Sequence, residues 1–524
     1  MGFPGPSAPL RGRKNIYRTK KKNKSIVALK EIKQANPSLS GDSLHQFTFA
    51  AAAARPAMAS TSTTLPDWLM LDRFVFWSEN FTFPKDADST LATGTNSMDK
   101  KFQICFKLVE PPEVSRLFLQ MDEGLSQSHS FDIIAAHRAA VLLQMSYPIL
   151  VPGYENIIPM IDYFLYYTAG GGSPPSLQRL PPLDGTIAQV QDQIKASADV
   201  MTNQFLRRLK CLDLGVLCRG EDEVAVAQLE ITESGAPPKL QVLCPSISRS
   251  WEVKHPPIVP CDDVKEFDLE EVFKNFDAHT VIPFKSYLCW VDYSFGILFC
   301  DVFNESPKLL YLELPAKLPI LWAGHKGRAW VEAYHTVGVT AGEVMKFVKV
   351  VDGNDEFFET TEPASDDFTI TSWALITESN GVMKWKQDAS IRSSEIGFGG
   401  LTHLPRTPLE YPVISMYEPS IIYFMIGHDQ ASYMYNKVWI VAIDISNGKV
   451  KSSSAYINGT EQVGDLCADE ALYFAKEKPQ VYSTFLPAEF SKHLNLLGTR
   501  TGLLQGGSDQ AIGIAVPEKK RKLM

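Results

Sequence analysis

The chain has 524 residues, 45% hydrophobic, 11% aromatic and 21% charged, which suits a globular protein with a large core and excludes fibrous or wholly disordered classes. Its net charge of −9 is uneven: residues 1–24 carry eight basic groups and no acid, and the tail from Pro517 nets +3, so the body between them stands at about −20. A body that acidic repels phosphate backbones, which argues against a nucleic-acid groove in the folded part and leaves only the basic ends to touch nucleic acid or serve as addresses.

Residues 1–57 are basic, then polar, then alanine-rich, and are expected to be disordered. Met58-Ala-Ser-Thr61 reads as a second start, which would make 1–57 a dispensable extension; a transit peptide is the competing reading. Leu65-Pro-Asp-Trp-Leu-Met70 superficially looks like an F-box opening, but Asp72 to Trp77 is aromatic and β-branched and predicts a strand. Further strands are predicted at Phe102–Val109, Arg116–Met121 and Ile161–Thr168, with His137–Met145 open between a short helix and a buried strand. A loop follows from Gly170 to Pro182. A helix is predicted over Ile187–Leu209, where Val190, Ile194, Met201 and Phe205 fall near helical spacing, and strands resume at Leu212, Val224 and Leu240.

From 287 to 451 the pattern is clearest. Tyr287–Val291 and Ile297–Val302 flank a glycine-containing turn and are apolar on both faces, predicting a hairpin deep in the fold with Gly296 left-handed. In that hairpin Cys300 should pair with Trp290 or with Cys289, depending on turn length. Asn380-Gly381 and Asn447-Gly448 predict two more hairpins with type I′ turns. Trp251, Trp290, Trp330 and Trp373 recur at spacings of 39, 40 and 43 residues, a period that suggests propeller blades. The expected fold is therefore mainly β, a propeller-like assembly of short antiparallel hairpins with a few helices; paired β-sandwiches are the alternative. The expected organisation is a 1–57 extension, an N-terminal β-rich part at 58–286, a C-terminal part at 287–495 continuous with it, and a flexible basic tail at 496–524.

The stretch Tyr287-Leu-Cys-Trp-Val-Asp-Tyr-Ser-Phe-Gly-Ile-Leu-Phe-Cys-Asp-Val-Phe303, with Ser306-Pro307 and Tyr311-Leu-Glu-Leu-Pro315, resembles the core motif of a cereal-plant family named only as domain of unknown function 1618. Its marker positions here are Trp290, Val291, Asp292, Gly296, Cys300 and Asp301. Trp68–Phe74, Ala92–Thr95, Leu108–Leu117, Ala135–Arg138, Tyr334–Gly338, and Tyr411-Pro-Val through Ile422-Tyr-Phe424 continue the resemblance in order. The family has no established activity, so the resemblance implies no catalytic residue; in style it is similar to the F-box-associated propellers of plants.

No P-loop, dinucleotide fingerprint, H-E-x-x-H or G-x-S-x-G pattern is present, so no cofactor, metal or catalytic residue is assigned. The eight cysteines include no C-x-x-C and read as reduced, buried thiols. His325 and His335 read as structural. Asp352-Gly-Asn-Asp-Glu356 hints at a calcium loop, but Phe357 stands where glycine is needed. The acidic run 352–367 reads as a wet loop, or more sharply as a docking patch for a basic partner. Asp292 and Asp301 read as turn caps, with a tuned acid or base as the alternative.

No apolar run is long enough to span a membrane, and no secretory signal is visible. The expected function is a non-enzymatic protein-interaction or scaffold protein in the nucleus or cytoplasm, or in an organelle should 1–57 act as a transit peptide. A hydrolase or lyase with a site at a propeller mouth is the first alternative, and a tight cluster of acids and histidines there would favour it. A regulator touching nucleic acid through its basic ends is the second. Lys519, Lys520, Arg521 and Lys522 form a candidate nuclear address, against the reading of a solubilising tail.

Overall fold

The computed structural model describes residues 65–77, 87–121, 130–150, 157–168, 174–183, 213–220, 222–231, 236–261, 276–316, 329–352, 367–379, 381–398, 401, 404, 409–427, 438–457 and 485–494, all within the unit Thr64–Met524. The 1–57 extension, the predicted 187–209 helix, His325, most of the 352–367 acidic run and the 517–522 tail lie outside these residues.

Six small, predominantly antiparallel sheets form a ring, a six-bladed β-propeller. Blade 1 begins with β1 (Leu69–Trp77), β2 (Ala92–Thr95), β3 (Lys101–Lys107) and β4 (Ser115–Met121). Blade 2 holds β5 (Ser130–His137), β6 (Ala140–Leu150), β7 (Ile157–Tyr167) and β8 (Ser176–Arg179). Blade 3 holds β9 (Leu214–Arg219), β10 (Glu223–Glu230), β11 (Lys239–Leu243) and β12 (Glu252–Lys254). Blade 4 holds β13 (Ile258–Pro260), β14 (Thr280–Phe284), β15 (Tyr287–Asp292), β16 (Gly296–Cys300) and β17 (Leu309–Glu313). A one-and-a-half-turn helix α1 (Ala329–Tyr334) runs straight into blade 5, which holds β18 (His335–Val339), β19 (Met345–Asp352), β20 (Phe368–Thr377) and β21 (Met383–Arg392). Blade 6 holds β22 (Glu410–Ile414), β23 (Ile421–Ile426), β24 (Val438–Asp444) and β25 (Lys449–Ile457). Finally β26 (Phe485–Ala488) returns to blade 1 and pairs antiparallel with β1.

Each blade cannot bury both its faces alone, and the packing shows how the ring solves this. The described residues form six apolar clusters, one between each pair of neighbouring blades, the last joining blade 6 to blade 1 through Trp68, Met70, Tyr423 and Phe485. Two stacked sandwiches would instead enclose two separate cores. The ring closes where the two ends of the described chain meet: Ser491 Oγ donates to the Pro66 carbonyl at 2.6 Å, and Phe490, with 0% exposure, packs its ring 4.8 Å from Phe106 of blade 1 and 5.9 Å from Tyr166 of blade 2.

β26, β5, β9, β14, β18 and β22 are the innermost strands and neighbour one another around the axis. They run the same way. Cys218 near the end of β9 meets His137 at the end of β5; a Cβ on Gly215, second in β9, would press on Val281, second in β14; one on Gly338 of β18 would press on Ile414 of β22.

The predicted β15–β16 hairpin is present and buried on both faces, with Trp290 at 0% exposure. Its register differs from both expected versions: Leu288 faces Cys300, because a three-residue turn, Tyr293 to Phe295, starts only after Asp292 pairs with Gly296. Gly296 has φ +156, positive but outside the left-handed helical region, and a side chain there would run into the Leu312 carbonyl and the Tyr311 ring. The hairpins at Gly381 and Gly448 also form, but not as two-residue type I′ turns. Gly448 N–H reaches back to the Asp444 carbonyl at 2.8 Å and Gly381 N–H to that of Glu378 at 2.9 Å, with Gly448 at φ +70 and Gly381 at φ +86. The ambiguous His137–Met145 stretch is the end of β5, a tight turn and β6.

The tryptophan period is not the blade repeat. Trp290 lies on a second strand, Trp330 in α1, Trp373 and Trp439 on third strands, while the inner strands start at 130, 214, 280, 335, 410 and 485. The division between 286 and 287 runs through blade 4, between the fully paired β14 and β15.

Candidate functional site

The parallel inner strands leave a central channel with a cavity of about 180 Å³. Its lining comes mainly from the inner strands of blades 1, 2, 4, 5 and 6 and the turns that follow them, with Arg73 of β1, Tyr293 of the β15–β16 turn and Glu332 of α1.

At the end where the inner strands begin, buried rings gather. α1 delivers His335 directly into β18, with Nδ1 2.9 Å from the Val331 carbonyl. That contact places the proton on Nδ1 and leaves Nε2 as an acceptor, for which no partner exists among the described residues. His335 is 2% exposed, and burial lowers its pKa to about 3, so the ring is neutral. Its ring lies 5.9 Å from that of Tyr293, carried in by the β15–β16 turn, whose hydroxyl accepts the Val337 N–H at 3.3 Å. Burial pushes the Tyr293 phenol well above its usual range. His279, just before β14, stands 5.3 Å from Tyr293 ring to ring; its Nδ1 accepts the Tyr293 N–H at 3.4 Å and lies 3.6 Å from Asp292 Oδ1. Glu332 of α1 is 2% exposed here, and Arg73 of β1 donates to the Ile134 carbonyl at 2.7 Å.

Where the inner strands end, the lining is charged. His137 closes β5. Its Nδ1 accepts the Cys218 N–H at 2.8 Å, so the neutral ring carries its proton on Nε2. Burial, and then the adjacent Arg138 guanidinium, lower its pKa to about 3. Arg138, Lys285 and Glu343 sit in the turns that follow β5, β14 and β18, and Glu489 follows β26. Burial raises the Glu489 carboxyl while Arg138 pulls it down.

Backbone strain concentrates here. Among described residues five non-glycines have positive φ: Asp99, Arg138 (+48), Lys285 (+53), Glu343 (+55) and Tyr411 (+52). All but Asp99 line the channel. Each costs on the order of 1 kcal/mol and persists only where the surroundings hold it.

The six marker positions from sequence all fall on blade 4. Trp290 is a core side chain whose Nε1 donates to the Asp213 carbonyl at 2.8 Å; Val291 and Cys300 are core, the Cys300 thiol pushed up by burial to about 12. Asp292 and Asp301 cap turns, accepting N–H bonds from Ser294 (2.8 Å) and Phe303 (3.2 Å). Burial drives the Asp292 carboxyl up to about 8, against the pull of the Ser294 N–H. Lys519 to Lys522 lie outside the described residues. Of the channel residues only His335 is singled out by sequence, as structural; Arg73, His137, Arg138, His335 and Tyr411 each sit inside a fragment that carries the family resemblance, and Tyr293 inside its core motif. Among the described residues no three of His, Cys, Asp and Glu are grouped to hold a metal, and no helix is long and apolar enough to cross a membrane.

No curated protein matches the chain. Solved structures similar at low level include one from the GH130 family of mannoside phosphorylases, described as containing glycoside hydrolases that target β-1,2 mannosidic linkages in Candida mannan (9% identity, 64% of this chain and 85% of that chain, TM-score 0.23), and a glycosyl hydrolase from Bacteroides ovatus (11% identity, 74% and 93%, TM-score 0.25). Scores this low carry no argument about function. The family model described as a protein of unknown function (DUF1618) matches residues 290–423, from β15 to β23, and supports the resemblance read from the core motif.

Proposed function

We propose that the chain is a non-enzymatic interaction protein, a six-bladed scaffold that presents the mouth formed by the Arg138, Lys285 and Glu343 turns to a partner protein. The observation that carries this reading is the placing of strained, charged residues at that mouth, since proteins keep such strain where it serves recognition. The histidines and acids do gather near the channel, which is the feature that favours the hydrolase or lyase reading. Their bonding points the other way. Asp292 is tied to the Ser294 and Asp277 N–H groups, and His137 and His335 have pKa values of about 3, far from the value near 7 that suits a general base. The test is partner capture with the full chain as bait, cross-link mapping, and reconstitution with the purified partner. Arg138→Glu with Lys285→Glu should weaken binding at least tenfold. Cross-links confined to the outer strands β8 and β12, with unchanged affinity of the double variant, would refute the reading.

We propose further that Lys519, Lys520, Arg521 and Lys522 direct nuclear entry. A fluorescent fusion starting at Met58 should be nuclear and become cytosolic when the four are changed to Ala; a fusion cytosolic before any change would remove the tail as a signal.

A further inference from the structure

The lining of the channel is balanced in charge. Arg73, Arg138 and Lys285 are matched by Glu332, Glu343 and Glu489. Between the two ends the wall is apolar, from residues such as Val281, Val337, Pro412, Ile414 and Leu486. The cavity of about 180 Å³ far exceeds the ~10–15 Å³ that one water needs. An apolar wall with a few placed polar groups is the usual make-up of a small-molecule site.

Two of those polar groups are complementary. His137, with Nδ1 taken by the Cys218 N–H, offers an Nε2–H donor that makes no bond to a described residue. His335, at the other end, has the opposite tautomer, and its buried Nε2 is an acceptor without a partner among the described residues. One closes an inner strand and the other opens one, and a five-residue inner strand such as β18 spans ~13 Å between its end residues.

We propose that the channel binds a small uncharged amphipathic molecule, of the primary-amide or alcohol class, whose polar head takes the Nε2–H of His137 and whose apolar chain lies along the wall towards His335. A charged head is disfavoured on both sides. An anion faces Glu343 and Glu489 and a cation faces Arg138 and Lys285, with water displaced from the narrow site and no imidazole charge to compensate. This site lies inside the ring and shares Arg138, Lys285 and Glu343 with the mouth argued above, but its test needs no partner protein.

Three probes that differ only in the head group test it: hexanamide, hexanoate and hexylammonium, titrated into the full-length chain with ¹⁵N-labelled histidine. Hexanamide at millimolar concentration should shift the His137 Nε2 resonance and show saturation transfer to its chain methylenes, with the two ions at least tenfold weaker. Val339→Trp, which fills the channel wall, should abolish both signals; if that variant does not fold, the wild-type titration decides alone. No response to hexanamide, a response that leaves His137 unmoved, or equal binding of either ion would overturn the proposal.

Discussion

Blade 4 and blade 1 reach the same architecture by opposite routes. Blade 4 is built from one stretch, residues 258–313, and its central hairpin has both faces covered by the clusters shared with blades 3 and 5. Blade 1 takes four strands from residues 69–121 and its innermost strand from 485–488, nearly the whole chain later. Local pairing closes short loops at little entropic cost, whereas the blade 1 closure brings distant ends together and must recover that cost through packing. The contrast teaches where each blade gets its integrity: blade 4 is held together by local pairing, whereas blade 1 is a clasp whose inner strand joins it only when the two ends of the described chain meet.

The largest expected effect tests the clasp. Phe490→Ala removes a fully buried ring between blades 1 and 2 and should cost about 3–5 kcal/mol. Hydrogen exchange should quicken first at Leu69–Leu71 and Leu486–Ala488 while blade 4 stays protected; uniform quickening would show that the clasp is not a separate unit. Next is Gly296→Val, which places a β-branched side chain at φ +156 against the Leu312 carbonyl. On the order of 3 kcal/mol should be lost, with global unfolding instead of local opening, read by calorimetry and exchange. An unchanged melting temperature would count against this geometry.

The smallest effect is a pH slope from blade 4. Asp292 is raised to about 8 from the ordinary carboxylate value of ~3.9, so the folded state holds its proton more tightly and stability from this group falls as pH rises towards 8. His137 and His335 are lowered to about 3 from ~6.5, so their contribution is complete above that value and is lost only as pH falls. Between roughly pH 6.5 and 8 Asp292 acts alone among these three: the melting temperature should decline, and Asp292→Asn should flatten the decline. A slope identical in the two proteins would exclude Asp292 as its source.

What the sequence disclosed follows the same division. The β15–β16, β20–β21 and β24–β25 hairpins were legible because adjacent apolar runs and glycines encode them locally. The propeller was inferred through a tryptophan spacing that proved unrelated to the blades, since Trp290, Trp330 and Trp373 occupy inequivalent elements. The closure by β26 left no trace, for Phe485-Leu-Pro-Ala488 is four residues long and its partner lies more than four hundred residues earlier. The channel was hidden for a related reason. A few residues from each of several inner strands, far apart in the chain, build it, so no spacing rule applies, and only the resemblance fragments touched it.

The hydrogen bond from Ser491 to Pro66 makes the folded body, in effect, a covalent circle with one missing link. Where such a circle is cut is a matter of synthesis and not of packing, because every blade leans only on its two neighbours. A circular permutant that joins the two ends beside β1 and β26 and opens between β12 and β13 would keep all six inter-blade cores. It would also turn blade 1 into a locally connected blade, moving the clasp to a place where no strand is shared between the chain's beginning and its end.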